Sequence, residues 1–309
     1  MPYKRIDLPW AGPIFVNMKG LPPLGLLTAT LLALATACNG PKPGQEQARP
    51  PADSAVGMPT ASVADTLVYR LDSATAADPT CQAKRDPELC TSARILFPDL
   101  GGSGAPAALV ANMLRQVALA TGQVADTSRQ IPAPEALVKA FMDSFQAERK
   151  LFRQLDPEAR ANPWALDVRC RLRESAGLVF VETESYTYTG GAHGMGLTRW
   201  QAHDRASGAP VALANWLADA AALRRVQALA EAVFRRQEGL RKGKGYQDYF
   251  FDNGRFALPD NWRIRADTLE FIYNPYEIKP YAAGKTRLAL PVSAIDSLIV
   301  PAYRPQAAI

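Results

Sequence analysis

After two helical stretches the spacing of apolar residues changes from a repeat of 3.6 to a repeat of 2, and that change restricts the fold more than any other feature. Early on, Leu109, Val110, Met113, Leu114 and Val117 line one face of a helix predicted over 105–120. Leu137, Phe141, Phe145, Phe152 and Leu155 form the stripe of a second helix over 134–155, opened by Pro134 and ended by Asp156-Pro157. From 166 the period becomes 2. Segments 166–173 and 178–189 read as strands joined by Glu174-Ser175-Ala176-Gly177. A strand over 197–204 follows, then the turn Arg205-Ala206-Ser207-Gly208 and a short strand over 210–213. A third helix covers 219–238, with Leu223, Val226, Leu229, Val233 and Phe234 inward. Segments 256–258, 268–273 and 286–290 read as closing strands, and 67–71 and 93–97 as opening ones. Ser293 and Asp296 have the spacing of a capping box for a short last helix. Blocks of helix and hairpin-linked strand predict an α+β fold, mainly antiparallel sheet with three main helices, open to division into two small subdomains.

The N-terminus reads as an export signal: Lys19 precedes the apolar run 24–34, and Ala35-Thr36-Ala37 supplies small residues before Cys38. That run is too short and too broken, by Pro22 and Pro23, to span a membrane well. Small residues directly before a cysteine resemble the lipobox of bacterial lipoproteins. Its usual leucine three places before the cysteine is Ala35 here, with Leu34 one place earlier. The resemblance implies that Cys38 is acylated and becomes the first residue; the alternative is an ordinary secretory signal ending near Ala37. Residues 38–62 carry five prolines and no aromatic residue, and read as a solvated tether. The expected organisation is a lipoprotein signal peptide over 1–37, a tether over 38–62, an N-terminal α+β subdomain over 63–188, a C-terminal domain over 189–301 and a tail over 302–309. The location follows: cell envelope, lipid-anchored to a membrane of undetermined identity, facing away from the cytoplasm.

The chain has two histidines and four cysteines, which argues against a multi-ligand zinc or iron–sulfur site, and no cofactor or metal is expected. Loss of residues 1–37 removes Lys4, Arg5, Lys19 and Asp7 and lowers the net charge from +5 to +3. So mild a balance does not suggest nucleic-acid binding. No strand–GxGxxG–helix unit or Walker loop is present, so nucleotide binding has little support. An oxidising envelope permits disulfides, and Cys81 and Cys90, nine apart around a Lys84-Arg85-Asp86-Pro87 turn, are expected to pair. Cys170 falls on the apolar side of its strand and is expected to be a buried, inert thiol. Arg235, Arg236, Arg241, Lys242 and Lys244 crowd the end of the third helix among glycines. They read as cations at a helix C-terminus, with a polyanion-binding patch as the alternative.

Two stretches stand apart. In 186–196, Tyr186 and Tyr188 end a strand and His193 sits among Gly190, Gly191, Gly194 and Gly196. In 274–284, Tyr276, Glu277 and Tyr281 lie in a loop stiffened by Pro275 and Pro280. A stiff loop loses less entropy on binding. Tyr186, Tyr188, His193, Tyr276, Glu277 and Tyr281 are therefore the candidate ligand-binding residues. The plainer readings are that His193 braces the glycine turn, that the tyrosines are packing residues, and that Glu277 meets a cation or the turn's amides. The last would join both stretches into one structural unit.

Together with Asn261-Trp262 and the strand 268–273, these stretches resemble the C-terminal domain of the RsiV-like family. That domain forms the extracytoplasmic part of lysozyme-sensing anti-sigma factors, and it also occurs beside polysaccharide deacetylase domains and in lipoproteins. The likeness covers about 199–299, with the glycine turn just before it, and more loosely 65–188. It implies a fold and an envelope setting. The chain departs from the sensors in lacking a transmembrane helix and an N-terminal cytoplasmic segment long enough for sigma-factor binding, since residues 1–17 are too few.

The expected function is a non-catalytic binding module for a protein (lysozyme-like) or a cell-wall glycan. An envelope hydrolase acting on peptidoglycan or polysaccharide through Glu182, Glu184, Glu277 or His193 is one alternative, since paired carboxylates at the right spacing cleave glycosides. A structural lipoprotein of an envelope assembly is another. No catalytic signature distinguishes them, and the oligomeric state is not legible.

Overall fold

The chain divides into two units, Met1–Asp65 and Thr66–Ile309. The computed structural model describes residues 67–79, 90–124, 130–158 and 162–304. The segments expected to be signal peptide (1–37) and tether (38–62), with Cys38 and Cys81, lie outside the described residues, and with them the expected acylation and the expected Cys81–Cys90 pairing. Among the described residues no helix is long and apolar enough to cross a membrane.

The expected α+β class holds, with one refinement: the larger sheet is mixed. Five strands lie in the order β1 (Arg70–Ala77), β2 (Ser92–Asp99), β3 (Ala165–Ser175), β4 (Leu178–Tyr188) and β5 (Met195–Asp204). All neighbours are antiparallel except β2 and β3, which run parallel. Between those two the chain forms α1 (Ala107–Ala120) and α2 (Pro134–Leu155), the crossover that a parallel pair requires. A second, antiparallel sheet comprises β6 (Trp262–Arg265), β7 (Thr268–Tyr273) and β8 (Thr286–Pro291). Two helices precede it in sequence, the short α3 (Leu213–Trp216) and the long α4 (Ala220–Gln237), whose Asp219 cap accepts from the Ala222 amide at 2.7 Å.

Strand β4 supplies both hydrophobic cores. Val179 and Val181 point to the side packed by α1 and α2, with Leu109, Met113, Phe141, Phe145 and Trp164. Leu178 and Phe180 point to the other side, which Trp216, Phe234, Trp262, Phe271 and Leu288 fill. The alternation of side chains along one strand is what allows this.

Several expected boundaries shift, each for a physical reason. The first strand begins at Arg70 rather than residue 67, and Val68 and Leu71 are largely exposed because β1 is an edge strand. Phe152 and Leu155 are exposed, because no residue of α2 beyond Phe145 is buried. The strand expected over 210–213 is reduced to a single bridge between Pro210 and His203, proline having no amide to donate. Segment 256–258 is irregular, and Phe256 instead enters a ring cluster with Phe234, Tyr246 and Phe251. Strand β6 was not expected. The last helix is replaced by tight 3-10 turns over Val292–Ala294 and Asp296–Leu298 without side-chain caps. Cys170 is buried as expected, and burial pushes its thiol up to about 12.

The turn after β5 closes against α1. A side chain at Gly208, whose φ is +71°, would lie 2.4 Å from the Leu109 amide nitrogen, so only glycine fits. The Gly208 carbonyl accepts from Asn112 Nδ2 at 3.2 Å and from His203 Nδ1 at 3.2 Å. That contact fixes the His203 tautomer and leaves its buried Nε2 without a partner among the described residues. Burial lowers the His203 pKa below its ordinary 6.5, so the folded chain holds it neutral. The unfolded chain then binds a proton that the native state refuses once the pH drops below 6.5. Stability should therefore be full above that value and fall on acidification by at most about 1.4 kcal/mol per pH unit from this group. Urea midpoints at pH 7.5 and 5.5, compared between the native chain and His203→Gln, measure it; an equal acid loss in both would assign the effect elsewhere.

Candidate functional site

The glycine turn after β4 and the loop between β7 and β8 meet at the β5 edge of the larger sheet. Their junction is aromatic. The Tyr281 hydroxyl donates to the Gly194 carbonyl at 2.8 Å. The His193 ring stacks on Tyr281 with centroids 3.7 Å apart and planes 14° apart. On from Tyr281, the Tyr276 ring follows at 5.7 Å and 35°. Tyr186 lies against Gly194 so closely that a Cβ there would fall 2.4 Å from its ring. Tyr188 donates to the Gly191 carbonyl at 3.1 Å.

These rings are not core. Tyr186 is 45% exposed and Tyr276 38%, and His193 is exposed as well. Tyr276 also has a φ of +69°, a region that bulky side chains rarely occupy. Its amide donates to the Lys279 carbonyl at 3.0 Å, which holds that conformation. The loop thus maintains an exposed aromatic ring in a costly backbone geometry.

Beneath the rings, two asparagines act as a substitute strand. Asn274 Oδ1 accepts from the Thr198 amide at 2.7 Å and its Nδ2 donates to the Thr198 carbonyl at 3.0 Å. Asn261 Oδ1 accepts from the Trp200 amide at 2.6 Å and its Nδ2 donates to the same Thr198 carbonyl at 2.7 Å. The outer edge of β5 is therefore satisfied by side-chain amides rather than by a further strand. Glu277 does not reach the glycine turn. Its carboxylate accepts from Asn274 Nδ2 at 3.0 Å, and burial raises its pKa against that hydrogen bond and the charge of Arg199. The two stretches form one unit, joined by Tyr281 and His193 instead.

Glu182 and Glu184 share a face of β4 but not an environment. Glu182 is buried between the sheets and paired with Arg263 at 2.9 Å and Arg173 at 3.1 Å. Arg263 pairs in turn with Glu270 at 2.7 Å and covers the Trp200 ring at 3.9 Å. Glu184 is exposed, beside Lys285, whose Nζ donates to Thr198 Oγ1 at 2.7 Å and whose pKa burial lowers. A carboxylate committed to two guanidinium groups is not free to work as half of a glycosidase pair. Among the described residues no cluster of three or more His, Cys, Asp or Glu could hold a metal.

Sequence reasoning assigned no role to Asn261, Asn274 or Lys285. Each acts on backbone or hydroxyl groups 61 to 87 residues away in the chain, at a distance no local pattern reveals.

Residues 216–293 match the model of the DUF3298 family, described as a protein of unknown function. A crystal structure of a DUF3298 family protein from Pseudomonas aeruginosa is 21% identical, with a TM-score of 0.54, over 79% of this chain and 99% of that one. A member of the family from Bacteroides fragilis is 15% identical, also at 0.54, over 75% of this chain and 93% of that one. Both are similar in fold. No curated protein shows significant similarity.

Proposed function

We propose that this chain is a lipid-anchored envelope protein, related to the RsiV-like domains, whose Tyr186–His193–Tyr276–Tyr281 surface is a non-catalytic binding site for a cell-wall glycan. The observation that carries the reading is the stack of exposed His193 and Tyr276 on either side of half-buried Tyr281, held by the Asn274 side chain, the Tyr276 amide and the Tyr281 hydroxyl. Flat rings held at fixed positions suit the C–H faces of sugar rings, and a surface ordered before binding loses little entropy. Aromatic side chains of this kind concentrate binding energy where they are held rigid. In this reading Cys38 carries the acyl chains, residues 39–62 are the tether, and a Cys81–Cys90 disulfide closes the loop before β2.

The test uses the chain extracted from membranes, whose intact mass should begin at an acylated Cys38. It is then mixed with purified peptidoglycan and with immobilised lysozyme. Retention by peptidoglycan is expected, with Tyr281→Ala weakening it about tenfold or more. Gly194→Ala should do the same by displacing the exposed Tyr186 ring while leaving thermal stability nearly unchanged. Retention by lysozyme alone would replace the ligand class with a protein; equal retention of native and Tyr281→Ala chains would remove the aromatic surface from the site.

A further inference from the structure

We propose that the outer face of α4, with the loop that follows it, is a docking surface for the anionic phospholipid headgroups of a bilayer. Segment 219–245 holds seven cationic side chains and three carboxylates, a surplus of four in a chain whose whole net charge is +5. Almost all of the protein's charge imbalance sits in this one place.

The carboxylates there are turned to other work. Asp219 caps the helix. Glu231 accepts from the Tyr246 hydroxyl at 2.5 Å. Glu238 accepts from the Tyr249 hydroxyl at 3.0 Å and from Lys279 at 2.9 Å. The nearby Asp248 is taken by Lys244 at 3.1 Å. By contrast Arg224, Arg225, Arg236, Arg241 and Lys242 are exposed, and among the described residues their side chains make no ion pair or hydrogen bond. Arg235 sets the arrangement. It donates to the Arg241 carbonyl at 2.6 Å and the Lys244 carbonyl at 2.9 Å, and so pins the cationic loop against the end of the helix.

The layout fits a planar, diffuse negative charge. Arg225 and Arg236 lie on one helical stripe, eleven residues and roughly 16 Å apart by helix rise. Exposed Ala228 and Ala232 stand between them, so the stripe carries no bulky apolar side chain between its charges. Five cations on flexible arms present no fixed geometry for a single carboxylate or phosphate; each one near an anionic membrane raises partitioning about fivefold. Phe250, 48% exposed and two residues past Asp248, adds an apolar contact at the edge of the patch. These charges would act on a bilayer whether or not Cys38 is acylated.

The experiment mixes the full chain with phosphatidylcholine vesicles, with and without a one-third share of phosphatidylglycerol, and follows the rate at which an amine reagent labels Lys242. Lys150, on the helix that packs against the other side of the larger sheet, is the internal reference. On anionic vesicles at about 0.02 M salt, labelling of Lys242 is expected to slow at least fivefold with Lys150 unchanged. The protection should vanish at about 0.5 M salt, where screening shortens the reach of the charges to a few ångströms. It should also vanish in the Arg225→Glu/Arg236→Glu chain, whose exposed substitutions leave the core intact. Equal labelling on both kinds of vesicle, or protection that survives the charge reversal, overturns the proposal. So does equal protection by a soluble acidic polysaccharide added to neutral vesicles, which would make the occupant a polymer rather than a membrane.

Discussion

Substituting Arg263 by alanine is expected to destabilise the fold by about 3–5 kcal/mol, the largest loss of any single exchange considered for this chain. Arg263 is buried between the two sheets, with Glu182 of β4 on one side and Glu270 of β7 on the other, and its guanidinium covers Trp200 of β5. Its removal would leave Glu182, itself only 8% exposed, inside the protein with Arg173 alone as a partially exposed counter-charge. Desolvating an underpaired carboxylate costs more than the lost contact itself. In a unit of this size the melting temperature should fall by roughly 10 °C or more. The complementary experiment replaces the whole triad, with Glu182→Leu, Arg263→Met and Glu270→Leu together. Apolar residues of similar volume should restore most of the loss, because a buried ion pair is strongly missed only when one partner remains. If the single and triple variants melted together, the cost would lie in packing against Trp200 instead of in charge.

The second large effect is expected at Asn274. Leucine there strips the Thr198 amide of its acceptor and Glu277 of its side-chain donor, in surroundings largely closed to water. Each buried polar group left unpaired costs about 1–3 kcal/mol, so a loss of about 2–4 kcal/mol follows. The Thr198 carbonyl keeps Asn261 and softens the result. Hydrogen exchange at the Thr198 amide gives a local reading and should accelerate well beyond the change at Phe180. Asn274→Asp separates charge from shape. It retains the acceptor for Thr198 but sets a second carboxylate against Glu277, whose pKa burial already raises. Two such groups cannot both ionise cheaply, so each has a raised pKa in the folded state relative to the unfolded chain. The Asp variant should therefore recover stability as the pH falls through that raised range, opposite in sign to the acid loss expected from His203. A variant equally weak at every pH would locate the damage in hydrogen-bond geometry alone.

How much of this was open to inspection in the amino-acid string differs from element to element. Helix α2 was readable to both ends because Pro134 fits a first turn and its stripe is regular. The β3–β4 hairpin was readable because Ala176-Gly177 interrupts two alternating runs. Strand β6 was hidden by its own composition: in Trp262-Arg263-Ile264-Arg265, half the residues are arginines that suggest solvent, yet Arg263 is core. The parallel register of β2 and β3 was equally hidden, since nothing local records which way two distant strands run. The site followed the same division. The residues that form the aromatic surface stood out by type, and their meeting was anticipated. The linking chemistry was assigned to Glu277, whereas the Tyr281 hydroxyl and the His193 ring provide it across 87 residues. Asn261 and Asn274 lie in segments that stand out in the sequence, but nothing local shows that both amides reach Thr198.

Strand β4 gives alternate residues to opposite cores, and this makes its length in residues unusually unforgiving. Deleting one residue ahead of Leu178 could be absorbed by the turn. Deleting Phe180, between Val179 and Val181, would send every later side chain of the strand to the wrong side, placing Glu182 among the α1 and α2 residues and Thr183 against Arg263. Neither half of the molecule could then fold correctly while the other compensated, so frame-shifted repeats or splices through this strand should yield no partially competent product.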